Sequence, residues 1–155
     1  MPRILLMEDS IEQAELLSEW LEIVGHDVSV ANRIETALEI FNGGRQFDLV
    51  ITDIFAPGGV SRQIEKGLTF IEQIRSNPDE RLSSVPIISI SGVRIERSFA
   101  YRFDDVTTLG SDAHLAKPFK FDVLSQTIRE LLEPAAQPLI DGQALADAPA
   151  QAMAT

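Results

Sequence analysis

One stretch limits the fold more than any other: Phe47-Asp48-Leu49-Val50-Ile51-Thr52-Asp53-Ile54-Phe55-Ala56-Pro57, with Gly58-Gly59 directly after it. From Leu49 it is apolar with almost no polar alternation, and then it stops at a carboxylate. A strand that faces water on one side alternates, whereas a continuous Leu/Val/Ile run marks a strand buried on both faces, as in a parallel sheet. Asp53 then stands at the carboxyl end of that strand, the edge at which open α/β sheets bind their ligands. The remaining chain must supply what a working aspartate needs.

In chain order, Ile4-Leu5-Leu6-Met7 is a first buried strand ending in Glu8-Asp9. Ser10 followed by Gln13 is a capping-box start, and Ile11, Ala14, Leu17, Leu21 and Val24 form a helical stripe closed by Gly25. Val28 and Val30 mark a second strand. Asn32 with Glu35 opens a second helix through Ala37, Leu38 and Phe41 to Gly43-Gly44. After the strand ending at Asp53 comes a polar loop, 58–66. Leu68, Ile71, Ile74 and Arg75 make a third helix, closed by Asn77-Pro78. Pro86 to Gly92 is a fourth strand, 94–103 a weaker helix with Ile95, Phe99 and Phe103, and Ala113-His114-Leu115-Ala116 a last strand followed by Lys117-Pro118-Phe119. The final helix has its stripe at Phe121, Leu124, Ile128, Leu131 and Leu132, with Val123 at its edge, and Pro134 stops it. Beyond lie Ala, Pro, Gln and Asp without period, which predicts a disordered tail. The expected organisation is one domain over 1–133 and a tail over 134–155.

Strand and helix alternate five times. That predicts an α/β fold with a five-stranded parallel sheet, right-handed crossovers and helices on both faces. The flavodoxin-like strand order 2-1-3-4-5 places the first and third strands at the switch point.

Composition narrows the function. A net charge of −11 argues against a nucleic-acid partner and against an anionic membrane surface. The absence of cysteine excludes disulfides, thiol chemistry and Cys-based zinc sites. No apolar run is long enough to cross a bilayer, and the start, Met1-Pro2-Arg3-Ile4, lacks a signal-peptide pattern. The expected location is the cytoplasm.

Strand ends carry the chemistry: Glu8 and Asp9 after the first, Asp53 after the third, Ser91 after the fourth and Lys117 after the fifth. In a parallel sheet these lie on one edge, so Glu8, Asp9 and Asp53 converge. Converging carboxylates resist ionisation unless positive charge sits among them. Lys117 supplies one charge, and an oxygen-only cluster suits Mg2+. A carboxylate beside magnesium and a lysine is equipped for phosphoryl transfer. In this reading Asp53 is the nucleophile, Asp9 binds the metal directly and Glu8 through water. Lys117 pairs with a phosphoryl oxygen, and the Ser91 hydroxyl donates to another.

The ordered set Glu8-Asp9, Asp53 with Pro57, Ser91 in Pro-Ile-Ile-Ser-Ile-Ser-Gly, and Lys117-Pro118-Phe119 resembles the receiver domain of bacterial two-component response regulators over roughly residues 3 to 133. The resemblance implies a CheY-like receiver and autocatalysed transfer to Asp53 from a sensor histidine kinase or histidine phosphotransfer protein. It implies a metal site completed by the Phe55 backbone carbonyl, a cis Lys117-Pro118 bond, and no independent turnover enzyme. Because only the tail follows, the resemblance implies a stand-alone receiver that switches binding of an unknown downstream protein. The family has a large residue where this chain has Ala56, a shorter loop than 58–66, and Tyr or Phe where this chain has His114. Ser91 and His114 are thus the expected switch pair. An unperturbed imidazole titrates near pH 6.5, which predicts output that weakens below about pH 6.

Other readings compete with these. A Ser-His-Asp hydrolase fails because a nucleophile elbow needs Gly two residues before the serine, and Ser89 stands there. The alternative function is a receiver-like interaction module that works without phosphorylation. Trp20 reads as a helix-packing residue, Arg62 and Lys66 as loop-solvating charges, and His26 carries no assigned role.

Overall fold

The computed structural model describes residues 1–54, 69–91 and 110–133. Its strands are β1 (Arg3–Met7), β2 (Asp27–Ala31), β3 (Leu49–Asp53), β4 (Ile87–Ser91) and β5 (Ala113–Ala116). They form a five-stranded sheet in the order β2-β1-β3-β4-β5, as the alternation predicts. Every described pairing is parallel. All residues of β3 and β4 are buried, as their unbroken apolar runs demand.

Successive strand residues serve opposite faces. Leu5, Met7, Val50 and Ile87 join one core cluster, while Ile4, Leu6, Leu49, Ile51, Ile88 and Ile90 join the other. The first cluster is covered by Ala37 and Phe41 of helix α2 (Ile34–Phe41) and by Phe70, Ile71 and Ile74 of helix α3, described over 69–75. The second is covered by Leu17 and Leu21 of α1 (Ile11–Ile23) and by Leu124 and Ile128 of α5 (Phe121–Leu132). Trp20 stacks on Phe121 with ring centroids 4.6 Å apart, tying α1 to α5.

The helix starts and stops differ in detail from their sequence signals. The Ser10 hydroxyl accepts from the Gln13 backbone N–H at 3.3 Å, and Gly25 closes α1 at a φ of 106°. The Ser10 N–H, however, donates to the Glu8 carboxylate at 3.1 Å, so Gln13 is not its partner and the box is half made. Asn32 does not cap α2. The residue before that helix is Arg33, without a side-chain cap, and the Asn32 amide instead donates to the Glu8 carbonyl at 2.9 Å. A single helical turn, α4 (Glu80–Ser83), is capped by the Asp79 side chain and has no apolar period to announce it. Phe55, Ala56, Gly92, Val93, the loop 58–66, the helix expected over 94–103 and the tail 134–155 lie outside the described residues.

Candidate functional site

β1 and β3 are hydrogen-bonded neighbours at the centre of the sheet, with Met7 opposite Thr52. The residues that follow them, Glu8-Asp9, and the end of β3, Asp53, therefore reach the same edge. One carboxylate oxygen from each of Glu8, Asp9 and Asp53 lies within 4.8 Å of the others. Glu8 and Asp53 are buried, and Asp9 is exposed.

Burying Glu8 is tolerable because it is bonded on all sides. Its N–H donates to the Ala31 carbonyl at 3.0 Å and its own carbonyl accepts from Asn32. One side-chain oxygen accepts from the Ser10 N–H, and the other from Lys117 Nζ at 2.9 Å. Lys117 follows β5, and its N–H donates to the Ser91 carbonyl at 2.7 Å, which holds the two strand ends together. Its ammonium also meets Asp53 Oδ2 at 3.4 Å and the side-chain carbonyl of Gln13. The Lys117–Pro118 bond is cis. A single lysine thus spans the two buried carboxylates.

Asp9 has less compensation. Its desolvation, the hydrogen bond with Glu8 and the charge of Glu8 push its carboxyl above the ordinary aspartate range, with Lys117 acting in the opposite sense. Among the described residues, three carboxylates face one ammonium. Hard oxygen donors with uncompensated negative charge fit a hard divalent cation such as Mg2+. Phe55, expected to complete that donor set, lies outside the described residues.

Ser89 and His114 are register partners, and Ser91 is two residues on, so the three project from one face of β4 and β5. His114 Nδ1 lies 2.7 Å from Ser89 Oγ and Nε2 lies 3.1 Å from Ser91 Oγ. Burial pushes the imidazole down to about 4. That moves the expected pH response away from pH 6, because the ring stays neutral throughout the neutral range.

Gln13, Asn32 and Ser111 belong to the site's framework and were not singled out for it by their sequence signals. Gln13 carries a capping signal, but its side chain turns to Lys117. Ser111 is buried and bonds Ser89 at 2.8 Å, yet in sequence it is an ordinary turn serine. His26 has a buried Nδ1 without a partner among the described residues, and burial lowers its pKa.

The profile of the response regulator receiver domain matches residues 4–129. Over 140 residues the chain is 32% identical to the transcriptional regulatory protein CpxR homolog of Haemophilus influenzae, an alignment covering 89% of this chain and 53% of that one. It is 28% identical over 137 residues to the DNA-binding dual master transcriptional regulator RpaA of Synechocystis, covering 85% and 49%. The chain spans about half the length of these curated relatives. Among solved structures, the response regulator protein TrrA of Thermotoga maritima, in complex with Mg2+ and BeF, is 32% identical with a TM-score of 0.65, covering 85% of this chain and 100% of that one. The chemotaxis response regulator CheY4 of Vibrio cholerae superimposes with a TM-score of 0.67 at 23% identity, covering 85% and 99%, which speaks to the fold alone.

Proposed function

The chain belongs to the response regulator receiver domain family, and on that premise we propose that it accepts a phosphoryl group on Asp53 from a sensor histidine kinase or a histidine phosphotransfer protein and thereby changes its binding to a downstream partner. The observation that carries this reading is the convergence of Glu8, Asp9 and Asp53 around the Lys117 ammonium.

In the transfer, an Asp53 carboxylate oxygen attacks the phosphorus of a phosphohistidine. The new P–O bond forms as the P–N bond breaks, and the departing imidazole takes up a proton from solvent. Lys117, held by Glu8 and Gln13, has its ammonium beside the nucleophile and can turn to a phosphoryl oxygen as charge builds there. Ser91, at the end of the neighbouring strand, donates its hydroxyl hydrogen to another oxygen. Glu8, Asp9 and Asp53 would hold Mg2+, which neutralises charge on the transferring group. Turnover of an external substrate is not part of this function, and the cytoplasm is where such phosphodonors would meet the chain. Among the described residues no helix is long and apolar enough to cross a membrane.

The test is direct. Incubated with acetyl phosphate and magnesium, the protein should gain one phosphoryl group by intact mass, and Asp53→Asn should gain none. Equal labelling of the two would remove Asp53 as the acceptor.

A further inference from the structure

The hydroxyls around His114 have only one hydrogen each, and the direction of every bond follows from that count. Ser111 Oγ lies 2.6 Å from the Ala113 carbonyl, which can only accept, so the Ser111 hydrogen is there. At its 2.8 Å contact with Ser89, Ser111 must therefore accept and Ser89 donate. The 3.3 Å approach of Ser89 to the same Ala113 carbonyl is the longer arm of that one hydrogen. With its hydrogen so engaged, Ser89 can only accept at the 2.7 Å contact with His114, which puts a hydrogen on Nδ1. A neutral imidazole with hydrogen on Nδ1 has a bare Nε2, and burial keeps the ring neutral. Ser91, 3.1 Å from Nε2, is then the donor.

Every bond in the row points the same way, from Ser91 through His114, Ser89 and Ser111 to the Ala113 carbonyl. Ser89, Ser91 and Ser111 are all buried, so water does not readily take the place of their hydroxyls. We infer that His114 is a positioning residue that holds the Ser91 hydroxyl hydrogen away from the Asp53 site, so that Ser91 must leave His114 before it can bond a phosphoryl group. The inference rests on the receiver reading and adds a restraint that the resting protein places on its own acceptor site.

Two measurements decide it. The first needs no variant: a long-range 1H–15N correlation of the full chain at neutral pH, with the His114 ring identified against a His114→Gln spectrum. The expected tautomer carries hydrogen on Nδ1, with Nε2 bare. Hydrogen on Nε2 would overturn the inference whatever the labelling shows. The second is the rate of labelling by acetyl phosphate with magnesium. Phenylalanine cannot accept a hydrogen bond, so His114→Phe should label about fivefold faster than the wild type, the size of one ordinary neutral hydrogen bond. In a Ser91→Ala background the same substitution should change nothing. Equal rates for wild type and His114→Phe, or an acceleration that persists without Ser91, would also overturn it. A wild type that takes no label at all would instead defeat the receiver reading, while the tautomer still reports the bond direction by itself.

Discussion

Among the described carboxylates of the site, Asp9 is the one whose charge is least balanced. Crowding with Glu8 and loss of water disfavour its ionised form, so at neutral pH its charge opposes folding. Removing that charge should raise the melting temperature slightly in metal-free buffer. Magnesium, binding the native state alone, should stabilise the wild type by about 2.7 kcal/mol at a hundredfold excess over Kd. Asp9→Asn should lose most of that response, and a wild-type Tm indifferent to magnesium would count against a metal site. His114 gives a second residue-scale expectation. Its folded pKa of about 4 lies below the unfolded value of about 6.5. Between those values the unfolded chain binds a proton that the folded chain refuses, so stability falls as pH falls through that window. The ring is only partly buried, so the loss stays well below the roughly 1.4 kcal/mol per pH unit of a fully shielded group. His114→Gln should lack this component, and parallel pH profiles in urea denaturation would refute it. Asp53, Asp9 and Lys117 were legible because a charge that ends an apolar strand has no packing reason to be there. Gln13 was not, because a helix-start signal already accounted for it and its reach to Lys117 depends on tertiary geometry.

At the scale of elements, Arg75 does work that no periodicity shows. From α3 its guanidinium donates to the carbonyls of Gly110, Ser83 and Val85 at 2.9, 2.8 and 2.6 Å and to the Asp112 carboxylate at 2.8 Å. Asp112 in turn accepts from the Ile87 N–H at 2.8 Å. One side chain thereby joins α3 to the segments that lead into β4 and β5. Gly110 has a φ of 116°, and a Cβ there would stand 3.0 Å from Arg75 Cγ, so that turn also depends on glycine. Arg75→Ala should cost on the order of 2–4 kcal/mol, because it strands several carbonyls at once. Arg75→Lys should recover little, since an ammonium lacks the planar fork. Urea midpoints within experimental error of the wild type would show that the clamp is dispensable. In the sequence Arg75 is only a neighbour of the apolar stripe on its helix. Asn32 likewise has the sequence signal of a helix cap, that residue's usual local use, whereas its amide bonds the Glu8 carbonyl at the sheet edge.

For the molecule as a whole, the strand order was legible because short apolar runs alternate with amphipathic stretches and the runs that become β1, β3, β4 and β5 end in or beside a polar residue. What stayed hidden was what is decided between elements, the serine contacts of His114 and the Arg75 clamp, together with the turn at Glu80–Ser83, which has no apolar period to announce it. The aperiodic composition after Pro134 leads to a further expectation. Deleting residues 134–155 should leave both Tm and labelling rate unchanged, and a loss of either would show that the segment supports the domain. Lys117 and Glu8, bonded at 2.9 Å, are 109 positions apart. A contact of that span is closed only after the intervening residues exist, and its closure entropy must be met by the core assembled between them. At ribosomal speeds of about 5–20 residues per second, roughly 5–20 s separate the synthesis of the two residues. Throughout that interval the nascent chain carries Glu8 and, for the later part, Asp53 without the cation that spans them. If Asp53 is the acceptor proposed above, partial copies that end before residue 117 would lack the ammonium beside it and would take up little phosphate.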